Sequence, residues 1–408
     1  MNVRMDRFLG TCALVALLAV AGTRAWSADI EAAKKEGKVV IYGTIVPQVM
    51  GLIEKGFQAK YGMKTEYWRG DATKVIDRVL TEWRAGKPGF DVVIGARGYT
   101  GAELLPLLHR HPQFELTAVG SGTAAGQEVS AHVKGMDDCD LVFSDIHPQA
   151  LEKLHADACV LALPNGAAAR YVEAIDRFRP ETVMVDLSAD HRFDPAWAYG
   201  QPERFAAELI HARRIANPGC YATAAQLALA PLVDQLVGIP AAFGVSGYSG
   251  AGITPSRRND PKVLEDNLLP YSLVDHIHEQ EVSHHLGHEI RFLPHVAPFF
   301  RGISLTAAVE LRNGQTEREL LTLFRDFYAG FPLVEIRPGI PEVKEIQGRH
   351  VAVIGGFAVS EVHPSRVSLV AVLDNLLKGA ATQAVQNLNL AFALDALAGL
   401  DALEGGQN

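Results

Sequence analysis

Residues 90–112 read FDVVIGARGYTGAELLPLLHRHP and predict a strand, a glycine-rich turn and a helix in succession. Gly95, Gly98 and Gly101 follow the spacing G-x-x-G-x-x-G rather than the commoner G-x-G-x-x-G. Glycines in such a turn let the backbone approach a pyrophosphate, and the first N–H groups of the helix point at it. The spacing alone is a weak signal, but its place between an apolar strand and AELLPLLHRHP favours a dinucleotide-binding turn.

Three more apolar segments downstream each end in a polar turn: FELTAVGSG (114–122), ACVLALPNG (158–166) and TVMVDLSAD (182–190). Strands that alternate with helices in this way predict a doubly wound parallel sheet, here over residues 90–220. Residues 221–372 change to an α+β pattern with longer polar loops. Residues 373–408 predict a long amphipathic helix that returns to the first sheet.

The turn after the second strand indicates which coenzyme the first domain takes. An acidic residue there would bind the ribose hydroxyls of NAD, whereas Ser or Arg accommodates a 2′-phosphate. This chain has Ser121 and no acidic residue until Glu128. The sequence therefore predicts NADP(H).

Composition restricts the partners and the compartment. The 408-residue chain has a formal net charge of −9, which argues against nucleic acid or an anionic membrane as a partner. Its four cysteines, Cys12, Cys139, Cys159 and Cys220, show no paired or CxxC spacing. That usage is typical of a reducing cytosol, and we expect Cys139 and Cys159 to be packing residues.

Cys220 stands in IANPGCYATAAQ (215–226), directly after a turn and before a segment rich in Ala and Leu. The pattern places it at a helix N-terminus, where the helix dipole and free N–H groups favour an anion. We therefore expect a lowered thiol pKa and a nucleophilic role. The alternative is a buried structural cysteine.

Seven motifs occur in an order that resembles one enzyme family: GARGYTGAELL, LALPNG, VDLSAD, NPGCYAT, SGYSGAG, DHIHEQEV and DNLLKGAATQAVQN. From about residue 92 to 408 the chain resembles N-acetyl-gamma-glutamyl-phosphate reductases, and more distantly aspartate-semialdehyde and glyceraldehyde-3-phosphate dehydrogenases. The resemblance implies an α/β fold with a doubly wound NAD(P)-binding domain and an α+β catalytic domain. It also implies NADPH-dependent reduction of a small-molecule substrate, N-acetyl-gamma-glutamyl phosphate, through a cysteine thioester, in a homo-oligomer (dimer or tetramer).

The family's site residues map onto positions of this sequence. Cys220 matches the nucleophile and His278 the acid/base of an H-x-H-x-x-E motif. The resemblance implies substrate contacts for Arg192, His276 and Glu281. It implies cofactor contacts for Gly95, Arg97, Gly98, Tyr99, Thr100, Gly101, Ser121, Pro164 and Asn375. One departure concerns the coenzyme, because relatives often carry Ser-Arg after the second strand and here Gly122 follows Ser121.

The N-terminus follows a different pattern. Residues 1–28 contain Arg4, Arg7, an apolar run and then small residues, as in a secretory signal. Residues 29–89 predict a strand, a helix, a second strand and a helix over 71–86, and they resemble a partial lobe of a periplasmic solute-binding protein. No second lobe follows. We therefore expect the signal to belong to this appended segment and the enzyme to act in the cytoplasm.

Four alternatives stay open at this point. The chain could be a solute-binding protein, a reductase of aspartyl or aminoadipyl phosphate, or a joined chain without function. The histidines of DHIHEQEVSHHLGHE also suggest a metal site as an alternative. Because they lack recognisable ligand spacing, we expect no metal. We expect His284, His285 and His288 to lie on a solvated helix face. Lys378 and Gln383 in the last helix are expected at the surface or an interface.

Overall fold

The computed structural model describes residues 38–43, 47–62, 64–69, 92–154 and 156–400. The signal-like residues 1–28, the helix predicted over 71–86, and Phe90 and Asp91 of the predicted strand lie outside these ranges. The chain divides into two units, residues 1–86 and 87–408. Among the described residues, no helix has the length and apolar character needed to cross a membrane.

The first unit contains a strand–helix–strand motif, as its sequence predicts. Strand β1 (Lys38–Gly43) pairs in parallel with β2 (Lys64–Arg69), so that Lys38 lies opposite Lys64 and Gly43 opposite Arg69. Helix α1 (Pro47–Tyr61) makes the crossover between them. A parallel pair requires such a crossover, because its strands run in the same direction.

The second unit begins with a seven-stranded, all-parallel sheet in the order β5-β4-β3-β6-β7-β9-β8. Its strands are β3 (Val92–Ile94), β4 (Ala118–Gly120), β5 (Phe143–Ser144), β6 (Ala158–Leu161), β7 (Val183–Asp186), β8 (Ala198–Tyr199) and β9 (Arg214–Ala216). Its helices are α2 (Tyr99–His109), α3 (Ala169–Phe178) and α4 (Pro202–Leu209). The doubly wound sheet is confirmed, with buried Cys139 and Cys159 packed in its apolar core.

A mixed sheet of seven strands follows, in the order β11-β12-β10-β13-β16-β15-β14. Its strands are β10 (Leu236–Gly247), β11 (Leu269–Pro270), β12 (Arg291–Ala297), β13 (Ile303–Leu311), β14 (Val334–Ile336), β15 (Ala352–Val359) and β16 (Arg366–Leu373). The helices in this part of the chain are α5 (Cys220–Leu229), α6 (Pro261–Leu264), α7 (Ile277–Leu286), α8 (Glu317–Phe327) and α9 (Val343–Ile346). Apolar side chains of α5 and α8 form one core with strands β13 and β16.

The C-terminal segment differs from its prediction. A π-helix (Leu377–Ala381) leads into α10 (Thr382–Ala391), and nearly every side chain of α10 is buried, so the helix is not amphipathic. Lys378 and Gln383 are fully buried rather than at a surface. The Lys378 ammonium donates to Glu203 Oε1 at 2.6 Å and to Gln386 Oε1 at 2.7 Å. The buried charge is tolerated because it is paired and hydrogen-bonded.

Candidate active site

The carboxyl ends of the parallel strands place two predicted sites on one edge of the first sheet. Gly95 follows β3 at this edge, and Asn217 follows β9. The Asn217 N–H donates to Asp186 O at 2.8 Å, which ties the turn before Cys220 to the end of β7. Open α/β sheets bind ligands at this edge.

Cys220 is the first residue of α5, as its sequence predicts. Gly219 caps the helix and has extended backbone angles, and no side chain fills the cap. The first N–H groups of α5 therefore lack helical partners and lie at the thiol. Gly379 of the π-helix packs against Cys220, since a Cβ added at Gly379 would lie 2.7 Å from Cys220 Cβ.

His278 reaches the same turn from α7. Its backbone N–H donates to Nδ1 of His276, which caps this helix, at 3.1 Å. The imidazole lies against Gly219, because a Cβ added there would come within 2.2 Å of His278 Nε2. Glycine at position 219 is what lets the His278 imidazole reach the turn directly before Cys220. His278 Nδ1 is buried and has no hydrogen-bond partner among the described residues.

Arg192 and Glu281 form a buried ion pair beside these two groups. Arg192 Nη1 donates to Glu281 Oε2 at 2.9 Å, and Glu281 is fully buried. The other oxygen, Glu281 Oε1, accepts from the Tyr199 hydroxyl at 2.8 Å and from the Gly219 N–H at 2.9 Å. Arg192 also donates through Nε to Asn217 O at 3.0 Å. The carboxylate thus holds both the arginine and the turn that carries Cys220. We call Cys220, His278, Arg192 and Glu281 the catalytic corner.

The protonation of the catalytic corner differs from the sequence expectation. Burial raises the pKa of the Cys220 thiol to about 11, although the charge of Arg192 and nearby backbone N–H groups oppose this shift. Burial, followed by the charge of Arg192, lowers the pKa of His278 well below its ordinary value. The N–H groups at the helix start do lower the thiol pKa, but the expectation of a net lowered pKa is wrong, because desolvation is the larger effect. At neutral pH the pair consists of a thiol and a neutral imidazole.

The phosphate-binding turn (residues 95–101) has the geometry that a dinucleotide needs. Gly95 has φ +86°, and a Cβ there would lie 2.2 Å from the carbonyl oxygen of Ala162. Gly98 caps α2 with no side-chain hydrogen bond, which leaves the N–H groups of Tyr99, Thr100 and Gly101 without helical partners. These residues fit a pyrophosphate at a helix N-terminus.

The remaining predicted cofactor residues differ in their surroundings and in their hydrogen bonds. Arg97 Nη1 donates to Thr123 Oγ1 at 3.0 Å, in the loop that begins with buried Ser121. Pro164 is exposed beyond the end of β6, which neighbours β3. The Asn375 amide is used internally, since Oδ1 accepts from the Gly302 N–H at 2.7 Å and Nδ2 donates to Ser249 Oγ at 3.0 Å.

Three histidines of the histidine-rich segment, His278, His284 and His285, lie on helix α7. His284 is exposed, but His285 is half-buried, so the solvated face predicted for it is wrong. Its ring stacks on Tyr199 with centroids 3.4 Å apart, and Nε2 donates to Arg192 O at 2.6 Å. Within the described residues, no three His, Cys, Asp or Glu side chains form a group that could hold a metal ion.

Sequence reasoning missed the residues that support Glu281. Tyr199 lies on the two-residue strand β8, and its hydroxyl accepts from Gln226 Nε2 at 2.7 Å. Arg204 Nη1 donates in turn to Gln226 Oε1 at 2.6 Å. No spacing connects these positions, which are up to 82 residues from Glu281. Only the polar Gln226 within an otherwise apolar, Ala-rich helix could have pointed to a buried partner.

Fold and site together define an NAD(P)-binding protein of the semialdehyde dehydrogenase class. Residues 92–212 match the family described as semialdehyde dehydrogenase, NAD binding domain, and residues 220–375 match its dimerisation domain. The solved structure of aspartate semialdehyde dehydrogenase II complexed with ASA from Vibrio cholerae is similar, with a TM-score of 0.61. The match covers 74% of this chain and 98% of that chain at 20% identity, and therefore shows the fold alone.

Closer relatives define the family. The chain is 52% identical over 305 residues to the N-acetyl-gamma-glutamyl-phosphate reductase of Xanthomonas campestris pv. campestris (strain B100), covering 75% of this chain and 96% of the relative. It is 54% identical over 306 residues to the same enzyme of Xylella fastidiosa (strain M23), covering 75% of this chain and 93% of the relative. The chain belongs to the N-acetyl-gamma-glutamyl-phosphate reductase family.

Proposed function

We propose that this chain uses NADPH to reduce N-acetyl-gamma-glutamyl phosphate to N-acetylglutamate semialdehyde and phosphate. The observation that carries the proposal is Cys220 at the start of α5 with His278 placed against Gly219. A thiol activated by an adjacent base is the usual nucleophile for an acylating substrate such as an acyl phosphate. The high identity to reductases of this name supports the choice of substrate.

The first chemical step is acyl transfer to Cys220. Because the thiol is protonated and His278 is neutral, the imidazole takes the thiol proton as sulfur attacks the γ-carbonyl carbon. The carbon–sulfur bond forms, and the carbon–oxygen bond breaks with its electron pair on phosphate, which receives the proton from His278. The first N–H groups of α5 face the developing oxyanion, a contribution of about 3 kcal/mol for such a donor.

The second step reduces the thioester. Bound NADPH supplies the hydride to the thioester carbon. The α5 N–H groups stabilise the oxyanion that results, and its collapse breaks the bond to Cys220 Sγ and releases the aldehyde. The sulfur takes up a proton from solvent through His278, which restores the thiol.

We assign supporting roles to the other residues of the catalytic corner. Glu281 holds Arg192 and the Gly219 N–H, and His276 caps the helix that carries His278. Both therefore act as positioning residues, while Arg192 places a positive charge next to the reacting groups. The family resemblance implies that His276 and Glu281 contact the substrate, whereas this assignment has them position other residues of the site.

Arg97 is proposed to bind the 2′-phosphate of NADPH together with Ser121. Its guanidinium reaches Thr123 in the loop where relatives often carry an arginine and this chain has Gly122. Arg97→Gln should raise the KM for NADPH about 10-fold or more and leave the KM for NADH unchanged, since only the 2′-phosphate contact is lost. Equal effects on both coenzymes would remove Arg97 from this role.

Self-association is proposed through the face of the mixed sheet that α5 and α8 do not cover. Phe243 of β10 is 39% exposed and lies 4.5 Å from the ring of His295 on β12, centroid to centroid. The match to a dimerisation domain supports a homo-oligomer. Phe243→Asp should lower the mass measured by light scattering, whereas the exposed Phe327→Asp on α8 should not. Equal masses for both variants would contradict this interface.

The cytoplasm is proposed as the place of reaction, and residues 29–89 as an appended segment of the solute-binding type. The strand–helix–strand motif and the cysteine usage support these assignments. Cell fractionation of the full chain tests the location. Recovery of the active protein in the periplasmic fraction would overturn it.

The test of the proposed function is the reverse reaction. The purified chain should reduce NADP in the presence of N-acetylglutamate semialdehyde and phosphate, and should prefer this substrate to aspartate semialdehyde. Cys220→Ala should lose the activity by about 1,000-fold or more, because the covalent step is removed. Turnover of aspartate semialdehyde but not of N-acetylglutamate semialdehyde would overturn the proposal, and so would full activity of Cys220→Ala.

A further inference from the structure

Arg258 lies in a polar loop that the catalytic steps above do not use. The loop follows the 3₁₀ helix Tyr248–Ala251, whose Ser249 contacts Asn375, and it ends at Asp260, the cap of α6. Asn259 fixes the loop, because its Nδ2 donates to Gly252 O and to Thr254 O at 2.8 Å each. Its Oδ1 accepts from the Ser256 N–H at 2.7 Å. The backbone next to Arg258 is therefore held in one conformation.

A chain of ring contacts connects Arg258 to the catalytic corner. The guanidinium carbon of Arg258 lies 4.9 Å from the centroid of the Tyr271 ring. The Tyr271 ring lies 5.5 Å from that of His276, which lies 4.9 Å from the ring of His278. The electrostatics agree, since the positive charge of Arg258 lowers the pKa of Tyr271 and the thiolate form of Cys220 would raise it, while burial raises it to about 12.

Arg258 and Arg192 differ in how their charges are balanced. Arg192 is buried, is paired with Glu281, and also donates to two backbone carbonyl groups, Asn217 O and Leu187 O. Arg258 is exposed, and within the described part of the chain its guanidinium forms no ion pair with a carboxylate. The Arg258 side chain hydrogen-bonds to Tyr271, and the remaining donors of its guanidinium have no carboxylate partner among the described residues. A guanidinium with free donors binds a carboxylate or a phosphoryl group through two parallel hydrogen bonds.

We infer that Arg258 binds an anionic oxygen group of the substrate, either its carboxylate or the phosphoryl group that leaves. Three observations support this inference: the fixed loop next to Arg258, the contact of Arg258 with the Tyr271 ring, and the ring contacts from Tyr271 through His276 to His278. The inference rests on the proposed function, which supplies a substrate with both groups. Arg192 then acts on the reacting groups, and Arg258 holds the substrate by its charged end.

Steady-state kinetics of the reverse reaction test the inference, with N-acetylglutamate semialdehyde, phosphate and NADP each varied. Arg258→Gln should raise the KM for either phosphate or the semialdehyde about 10- to 100-fold, because a charge-assisted hydrogen-bond pair is lost. A raised KM for phosphate identifies the phosphoryl group, and a raised KM for the semialdehyde identifies the carboxylate. The KM for NADP should not change. Arg257→Gln, which removes the same charge one residue earlier, is the matched control and should behave as the parent chain.

A second readout does not need turnover. Phosphate and N-acetylglutamate should each be tested for protection of Cys220 from alkylation by iodoacetamide, a neutral reagent. At least one of them should protect the parent chain and Arg257→Gln but not Arg258→Gln. Equal kinetics and equal protection in the two variants would overturn the inference. If the parent chain is inactive, but phosphate or N-acetylglutamate still protects its Cys220 from alkylation and Arg258→Gln abolishes this protection, the proposed function alone would be refuted.

Discussion

The phosphate-binding turn and the catalytic corner lie at one edge of the same sheet, but backbone groups form the first and side chains form the second. The turn is formed by backbone and by glycines, and one of them, Gly95, combines a φ of +86° with close contact to Ala162. The catalytic corner is formed by side chains from segments up to 89 residues apart, as with Arg192 and Glu281. The first site depends on local geometry, and the second on a buried hydrogen-bond network. Their responses to mutation should differ accordingly.

Among the substitutions that leave the reacting side chains in place, Gly219→Ala should produce the largest effect, because the new methyl group would meet His278 Nε2 at 2.2 Å and Arg192 Nη1 at 2.7 Å. Displacing the imidazole from Cys220 should lower kcat by about 100-fold or more. The control is Gly330→Ala, at an exposed position where the added Cβ meets nothing within 4 Å. Activity of Gly219→Ala within about threefold of the control would contradict this placement of His278.

Gly95→Ala tests the backbone-built site in the same way. The substitution requires a positive φ from alanine and a contact of 2.2 Å with Ala162 O, so the turn must shift. We expect NADPH binding to weaken about 10-fold or more and the free energy of unfolding to fall by about 1–3 kcal/mol. Gly98→Ala should be milder, since the nearest atom to its Cβ is at 3.8 Å. Fluorescence titration with NADPH and urea unfolding measure both effects, and equal losses in the two variants would refute the distinction.

The two regions also differ in how far the sequence predicts them. The turn after β3 was predicted because the glycines, the strand and the helix are adjacent in sequence. Cys220 at a helix start was predicted for the same reason. The raised thiol pKa, the Tyr199–Glu281 contact and the buried Lys378–Glu203 pair were not, since each depends on burial and on partners distant in sequence. A motif identifies the groups proposed to react, whereas desolvation by the whole fold sets their protonation.

Tyr199→Phe separates positioning from packing within the catalytic corner. The change removes a donor to Glu281 Oε1 and leaves Gln226 Nε2 without the hydroxyl it contacts at 2.7 Å. We expect the free energy of unfolding to fall by about 1–3 kcal/mol and kcat to fall several-fold. Tyr328→Phe is the matched control, because its buried hydroxyl donates to Leu227 O, outside this network. It should lose stability without losing kcat, and equal kcat losses in the two variants would show that Tyr199 acts only through stability.

Acidification should produce the smallest and most gradual effect. Burial lowers the pKa of His276 and of His285 to about 4, below the ordinary value of 6.5 that the unfolded chain has. Between these values the unfolded state binds more protons, so stability is fully present above about pH 6.5 and falls as the pH decreases toward 4. Urea midpoints measured from pH 7.5 to 5 should decline. A matched series with His285→Asn should decline less steeply, and parallel slopes would contradict the burial of a neutral His285.

The central claim is that Cys220 carries the acyl group, and single-turnover labelling tests it most directly. The chain is mixed with N-acetylglutamate semialdehyde and NADP without phosphate, quenched in acid, digested and mapped by mass spectrometry. We predict one equivalent of NADPH per site and an N-acetylglutamyl adduct on the peptide with Cys220, with Cys139 and Cys159 unmodified. An unmodified Cys220 in a preparation that turns over when phosphate is added would contradict the account.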